Sequence, residues 1–170
     1  MGDNLSSKTG ARSRLIRSEE VALLLEQARG GDFQSLARVL TWIERSGPDA
    51  VFKETALLNP QHQAFRVGIT GPPGAGKSTL IGQIIGSLRQ RGLKVGVLAV
   101  DPSSPFSQGA ILGDRIRYSD HFNDAQVFIR SLGTRGSLGG LSAAAYLMLR
   151  AFDAAEFDIV LVETVGVGQT

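Results

Sequence analysis

The spacing of apolar residues along the chain changes character once, near Pro60. Before it the period is helical. From Glu19, the residues Val21, Leu24, Leu25 and Ala28 recur at three- and four-residue intervals until Gly30-Gly31, which predicts one amphipathic helix. Asp32 is placed to cap a second helix whose Phe33, Leu36, Val39, Leu40 and Ile43 form a stripe, with Trp42 in the same packing, before Gly47-Pro48 breaks it. A third, weaker helix is expected over residues 50–58, bounded by Asn59-Pro60.

After Pro60 the pattern shifts to short continuous apolar runs separated by a helical stretch. Residues 65–70 predict a strand, 77–91 a helix and 95–100 a second strand, the βαβ order of a parallel sheet with a right-handed crossover. A further short strand is expected over 127–130, a helix over 138–152, and a buried strand over 157–162 that ends at Glu163. No internal repeat is visible.

The turn between the first strand and its helix carries chemistry. Gly71-Pro72-Pro73-Gly74-Ala75-Gly76-Lys77-Ser78 satisfies G-x-x-x-x-G-K-[ST] in full, and Thr79 follows. Glycines let backbone N–H groups turn inward around phosphate oxygens, and the helix that starts there adds its positive dipole end. Lys77 is then the group that reaches the β and γ phosphates, Ser78 offers its hydroxyl to Mg2+, and Thr79 helps to position the α-phosphate. A Gly-rich strand-to-helix turn that binds nothing is the competing reading, and the strand before and helix after weigh against it.

Open parallel sheets place functional groups at the carboxyl ends of their strands. Asp101 and Glu163 stand at two such predicted ends, where both can face the Mg2+; a solvated loop carboxylate is the alternative for each. Lys77, Asp101 and Glu163 are therefore the candidate catalytic residues. The fold class that follows is α/β, a P-loop NTPase with a doubly wound, mostly parallel sheet preceded by a small helical leader. The expected division is a disordered tail over residues 1–18, the leader over 19–60 and the nucleotide-binding part over 61–170. Such sheets normally hold about five or six strands, so the sheet is expected to be incomplete here and the chain to be the N-terminal part of its domain.

Composition narrows the function mainly by exclusion. The chain has 170 residues, 42% of them hydrophobic, enough for one ordinary core. Lys and Arg number 18 against 16 Asp and Glu, a net charge of +2, too small to imply a nucleic-acid surface. With no Cys there are no disulfides or thiolate metal sites, and His62 and His121 are too far apart in sequence to suggest a His cluster. No apolar run approaches the roughly 18 residues of a membrane helix, and the expectation is a cytoplasmic protein. The Ser- and cation-rich start (Lys8, Arg12, Arg14, Arg17) lacks the apolar face of a transit peptide.

Beyond the phosphate loop, Asp101-Pro102-Ser103-Ser104-Pro105-Phe106, Gly109-Ala110-Ile111-Leu112-Gly113-Asp114-Arg115, Thr134-Arg135-Gly136-Ser137-Leu138-Gly139-Gly140-Leu141 and Glu163-Thr164-Val165-Gly166-Val167-Gly168-Gln169 accompany it. In combination these segments resemble the methylmalonyl-CoA mutase-associated GTPases, the MeaB/ArgK-like family, over about residues 30–170. The resemblance implies Mg2+-dependent GTP hydrolysis coupled to protecting or reloading an adenosylcobalamin-dependent acyl-CoA mutase, and a homodimer when the chain is full length. It also implies that Asp101 and Asp114 belong to the Mg2+ and switch region, and that Glu163-Thr164-Val165-Gly166 replaces the usual D-x-x-G loop. None of Asn4, Asn59 or Asn123 is followed by Lys, so the N-K-x-D guanine-reading motif is missing and GTP rests on the resemblance. Gln169 is a candidate to position water, with Arg115 or Arg135 as cationic help. A P-loop small-molecule kinase or ATPase, a nickel-insertion GTPase and a nucleotide-binding scaffold without turnover remain the alternatives.

Overall fold

The computed structural model describes residues 16, 18–46, 51, 53, 60–101, 118, 121, 123–133 and 142–165. Most of the expected third helix lies outside these residues, as do the expected tail up to residue 15, Asp114 and Gln169.

Helix α1 (Ser18–Arg29) and helix α2 (Phe33–Ser46) form where the apolar spacing predicts them. Asp32 caps α2 as expected: its Oδ1 accepts from the amides of Gln34 at 3.0 Å and Ser35 at 3.3 Å, and its Oδ2 from the Ser35 hydroxyl at 2.7 Å. These hydrogen bonds, the Ser35 hydroxyl first, hold the exposed Asp32 carboxyl below the usual carboxylate range. Along α2, Leu36, Val39, Leu40 and Ile43 are buried, each contributing about 1.5–3 kcal/mol relative to exposure.

Four parallel strands follow, β1 (Phe65–Gly71), β2 (Val95–Asp101), β3 (Val127–Gly133) and β4 (Ile159–Val165), in the spatial order β1-β4-β2-β3. Helix α3 (Lys77–Gln90) joins β1 to β2, and helix α4 (Ala143–Ala154) lies between β3 and β4 in sequence. The expected α/β fold with a parallel sheet is present.

Three boundaries differ from the sequence reading by three residues or more. β3 continues three residues past Arg130, because Ser131, Leu132 and Gly133 keep pairing with Ala99, Val100 and Asp101. α4 starts at Ala143, where Ser142 takes an extended N-cap conformation and its side chain accepts from the Ala145 amide. Most consequentially, β4 runs to Val165, so Glu163 lies inside the strand instead of after it.

The sheet separates two apolar clusters. On one face α1, α2 and α4 pack against Leu98, Val100, Phe128, Leu132, Val160 and Val162. On the other, Ile81 and Ile85 of α3 meet Val95, Val97, Val127, Ile159 and Leu161, with Tyr118 among them. Alternate residues of each strand thus serve opposite faces. The helices before Pro60 share a core with the sheet.

Around the first cluster, Phe33, Phe128, Phe152 and Phe157 contact one another with ring centroids 5.0 to 5.9 Å apart. Lys94, just before β2, is buried beneath them and donates to the carbonyls of Ala28 at 3.2 Å and Ala155 at 2.8 Å. These lie at the C-terminal ends of α1 and α4, where helix dipoles favour a cation. Burial pushes the Lys94 ammonium below its usual pKa, with the charges of Glu156 and Asp158 acting in the opposite direction.

Gly96 makes room for this aromatic packing: a Cβ built there would stand 2.7 Å from both Cδ1 and Cε1 of Phe152. Gly96→Ala should therefore cost about 1–3 kcal/mol by overpacking, read as a lower urea midpoint. Adding Phe152→Leu should recover part of that loss; two changes that simply add would show that the ring is not the obstacle.

Candidate functional site

β1 delivers the chain to the loop at its C-terminal end. Gly74 and Gly76 sit at φ 78° and 83°, the left-handed region, with open space where a Cβ would be, so the demand for glycine is conformational. Gly76 is the N-cap of α3 and offers no side-chain cap. The first amides of the helix have no intrahelical carbonyl to bond. Pro72, Pro73, Gly74, Ala75, Gly76 and Thr79 are all exposed, and the Ala75 amide bonds the Pro72 carbonyl at 3.3 Å.

Lys77 folds back along this loop, its ammonium donating to the carbonyls of Gly71 at 2.8 Å and Pro72 at 2.9 Å. Ser78 turns the other way, and its hydroxyl donates to Glu163 Oε1 at 3.3 Å. Glu163 is 7% exposed, and its Oε2 accepts from the Tyr118 hydroxyl at 2.5 Å. The structure therefore brings together Lys77, Ser78 and Glu163 of the candidate residues. Asp101 is the last residue of β2, paired in register with Gly133, while Asp114 lies outside the described residues.

Tyr118 was not visible as a functional residue in the sequence, since it belongs to no motif and lies 45 positions from Glu163. The segment that carries it is anchored on α3 twice. His121 Nε2 donates to the Gly82 carbonyl at 2.9 Å, and Arg89 Nε donates to Asp124 Oδ2 at 2.9 Å. The Arg89 guanidinium is the main reason that the Asp124 carboxyl lies below its ordinary pKa, aided by the Gln126 amide and opposed by burial.

Oxygen donors of this kind, a hydroxyl and a carboxylate, suit a hard cation such as Mg2+. Among the described residues no group of three or more His, Cys, Asp or Glu could form a metal cage. A cation at Ser78 would have room to take phosphate oxygens into its shell, the usual arrangement for Mg2+ with nucleotides.

Residues 36–170 match the family described as methylmalonyl Co-A mutase-associated GTPase MeaB. The chain belongs to this family. It is 40% identical over 160 residues to the GTPase ArgK of Escherichia coli, covering 92% of this chain and 48% of that protein. A Pyrococcus horikoshii protein, also named as a GTPase, is 50% identical over 146 residues, 86% of this chain and 46% of that one. The mouse methylmalonic aciduria type A homolog, mitochondrial, is 45% identical over 122 residues, 71% of this chain and 29% of that protein. Among solved structures, one titled LAO/AO transport system kinase aligns with a TM-score of 0.63 at 33% identity, over 91% of this chain and 46% of that chain.

The MeaB/ArgK resemblance and the P-loop fold are thus established. The chain spans about half the length of the first two of these relatives. Among the described residues no helix is long and apolar enough to cross a membrane.

The tie between Arg89 and Asp124 has a testable pH signature. A carboxyl whose folded pKa is lowered adds stability above its unfolded value, about 3.9, and that contribution disappears as pH falls through the folded value. Arg89→Met should lower the urea midpoint clearly at pH 7 and much less near pH 2. An equal loss at both values would mean that the guanidinium acts through packing.

Proposed function

We propose that this chain carries the nucleotide-binding part of a Mg2+-dependent, cytoplasmic GTPase that acts as a chaperone and regulator of an adenosylcobalamin-dependent acyl-CoA mutase. The observation that carries the nucleotide reading is the loop itself: left-handed glycines, a Lys77 ammonium over the loop and the Ser78 hydroxyl beside a buried carboxylate. The mutase assignment and the homodimer expected of the full-length protein rest on family membership.

On this reading, Lys77 exchanges the carbonyls of Gly71 and Pro72 for β- and γ-phosphate oxygens, and the loop amides from Gly74 to Ser78 bind the remaining oxygens. The Ser78 hydroxyl donates its hydrogen bond to Glu163, which leaves its oxygen lone pairs for the cation. Mg2+, when bound, neutralises charge on the phosphates and polarises them for attack by water. Thr79 positions the α-phosphate. Asp101 and Asp114 complete the Mg2+ and switch region, and Gln169 orients the water, with Arg115 or Arg135 adding positive charge.

The decisive experiment measures Mg2+-dependent GTP and ATP turnover by the full-length protein, with and without an adenosylcobalamin mutase. GTP should be selected over ATP, the mutase should raise the rate, and Lys77→Ala should lower turnover by about 100-fold or more. ATP selectivity, phosphate transfer to a metabolite, or insensitivity to Lys77→Ala would overturn the reading.

A further inference from the structure

Glu163 presents a problem of orientation that the phosphate loop does not solve. A buried carboxylate requires partners for both oxygens, since leaving one unmatched in a low-dielectric interior is costly. Ser78 satisfies Oε1 from the loop side, and the Tyr118 hydroxyl satisfies Oε2 from the opposite end of the carboxylate. The Ser78 hydroxyl has one proton. Pointing it at Oε1 directs the oxygen lone pairs elsewhere, and a carboxylate rotated out of place would no longer receive that proton.

We propose that Tyr118 is a positioning residue for the cation at the nucleotide site: its phenol pins Glu163 so that Oε1 takes the Ser78 proton and the Ser78 oxygen stays turned toward Mg2+. This rests on the nucleotide reading proposed above and extends it to a residue outside every motif in the sequence. The phenol is itself held firmly. Tyr118 is 2% exposed in the cluster with Ile81, Ile85, Val97 and Leu161, which restricts where the hydroxyl can go. The His121 backbone N–H donates to the Tyr118 carbonyl at 3.0 Å, and its ring Nε2 donates to the Gly82 carbonyl of α3. Tyr118 is therefore tied through His121 to the same helix that carries Ser78.

A tyrosine that only filled the core would be replaced by phenylalanine without consequence for the cation. Tyr118→Phe keeps the ring and removes the phenol's hydrogen bond to Oε2. The test titrates Mg2+ into the full-length chain with a fluorescent GTP analogue and compares affinity in excess EDTA with affinity at each Mg2+ concentration. Tyr118→Phe should leave the Mg2+-free affinity within about twofold and raise the half-saturating Mg2+ concentration by about tenfold, the scale of a hydrogen bond to a charged group. Repeating the change in a Ser78→Ala chain should give almost no further shift, because the phenol acts through the Ser78 hydroxyl.

An unchanged Mg2+ titration in Tyr118→Phe, beside a normal wild-type response, would overturn this proposal alone. Equal losses of affinity with and without Mg2+ would reduce Tyr118 to a structural role and overturn it too, as would a full effect persisting in the Ser78→Ala chain. A wild-type chain whose affinity ignores Mg2+ would instead defeat the nucleotide reading, and this proposal with it.

Discussion

The position of β4 between β1 and β2 is the constraint on which the site depends. Its register sets Glu163 opposite Ile69 on one side and Ala99 on the other, two residues short of Gly71 and Asp101, where those neighbours end. At about 3.3 Å per residue in a parallel sheet, the carboxylate sits some 6–7 Å below the rim. From there it meets Ser78 in the first turn of α3, leaving the loop above to the amides and Lys77. Had β4 paired outside β1, the same Glu163 would lie at a sheet edge, away from the helix that carries Ser78.

The two faces of the sheet divide the work. The face carrying α3 builds the site, and Glu163 is the polar member of an otherwise apolar row with Ile159 and Leu161. The face carrying α1, α2 and α4 holds the larger share of the buried apolar residues. Its ionic contacts lie away from the loop: Lys94 under the aromatic rings at the start of β2, Arg66 with the fully buried Asp153, and Arg130 with Glu44 at 2.7 Å. Asp153 also accepts the Ala64 amide at 3.0 Å, so this carboxylate fixes the residues that lead into β1. A buried pair of this kind is weak evidence for stability, but it does define where the strand begins.

What could be read from the sequence follows from how local each determinant is. The phosphate loop was legible because its demands are backbone demands, met by Gly74, Gly76 and Lys77 within a few residues. The α2 cap was legible for the same reason, as Asp32 acts on Gln34 and Ser35. The sequence marks Glu163 as a candidate site residue but places it at the end of its strand, because a carboxylate following an apolar run reads as a boundary. The pairing of Thr164 with Thr70 and Val100 carries the strand onward, and partners from α3 and Tyr118 make the carboxylate tolerable inside it. Tyr118 and the contact of Gly96 with Phe152 depend on residues 45 and 56 positions apart, respectively, and no local pattern encodes them.

Lys77 shows how the loop and its buried base complement each other. Its ammonium is already held at the loop by two carbonyls, which narrows the conformations that a long side chain must give up when it meets an anion. Those carbonyls are uncharged, whereas a phosphate oxygen carries negative charge, so an ammonium–phosphate contact adds ion–ion attraction to the hydrogen bond. On the proposed nucleotide reading, transfer of the ammonium to phosphate would therefore be favourable without a large search. Ser78 differs, because its proton goes to a carboxylate that is itself fixed, and nothing in that bond must break for the oxygen lone pairs to face a cation. On that reading the loop combines a cation that changes partners with a hydroxyl that keeps its own, and the second depends on Glu163 remaining where β4 and Tyr118 hold it.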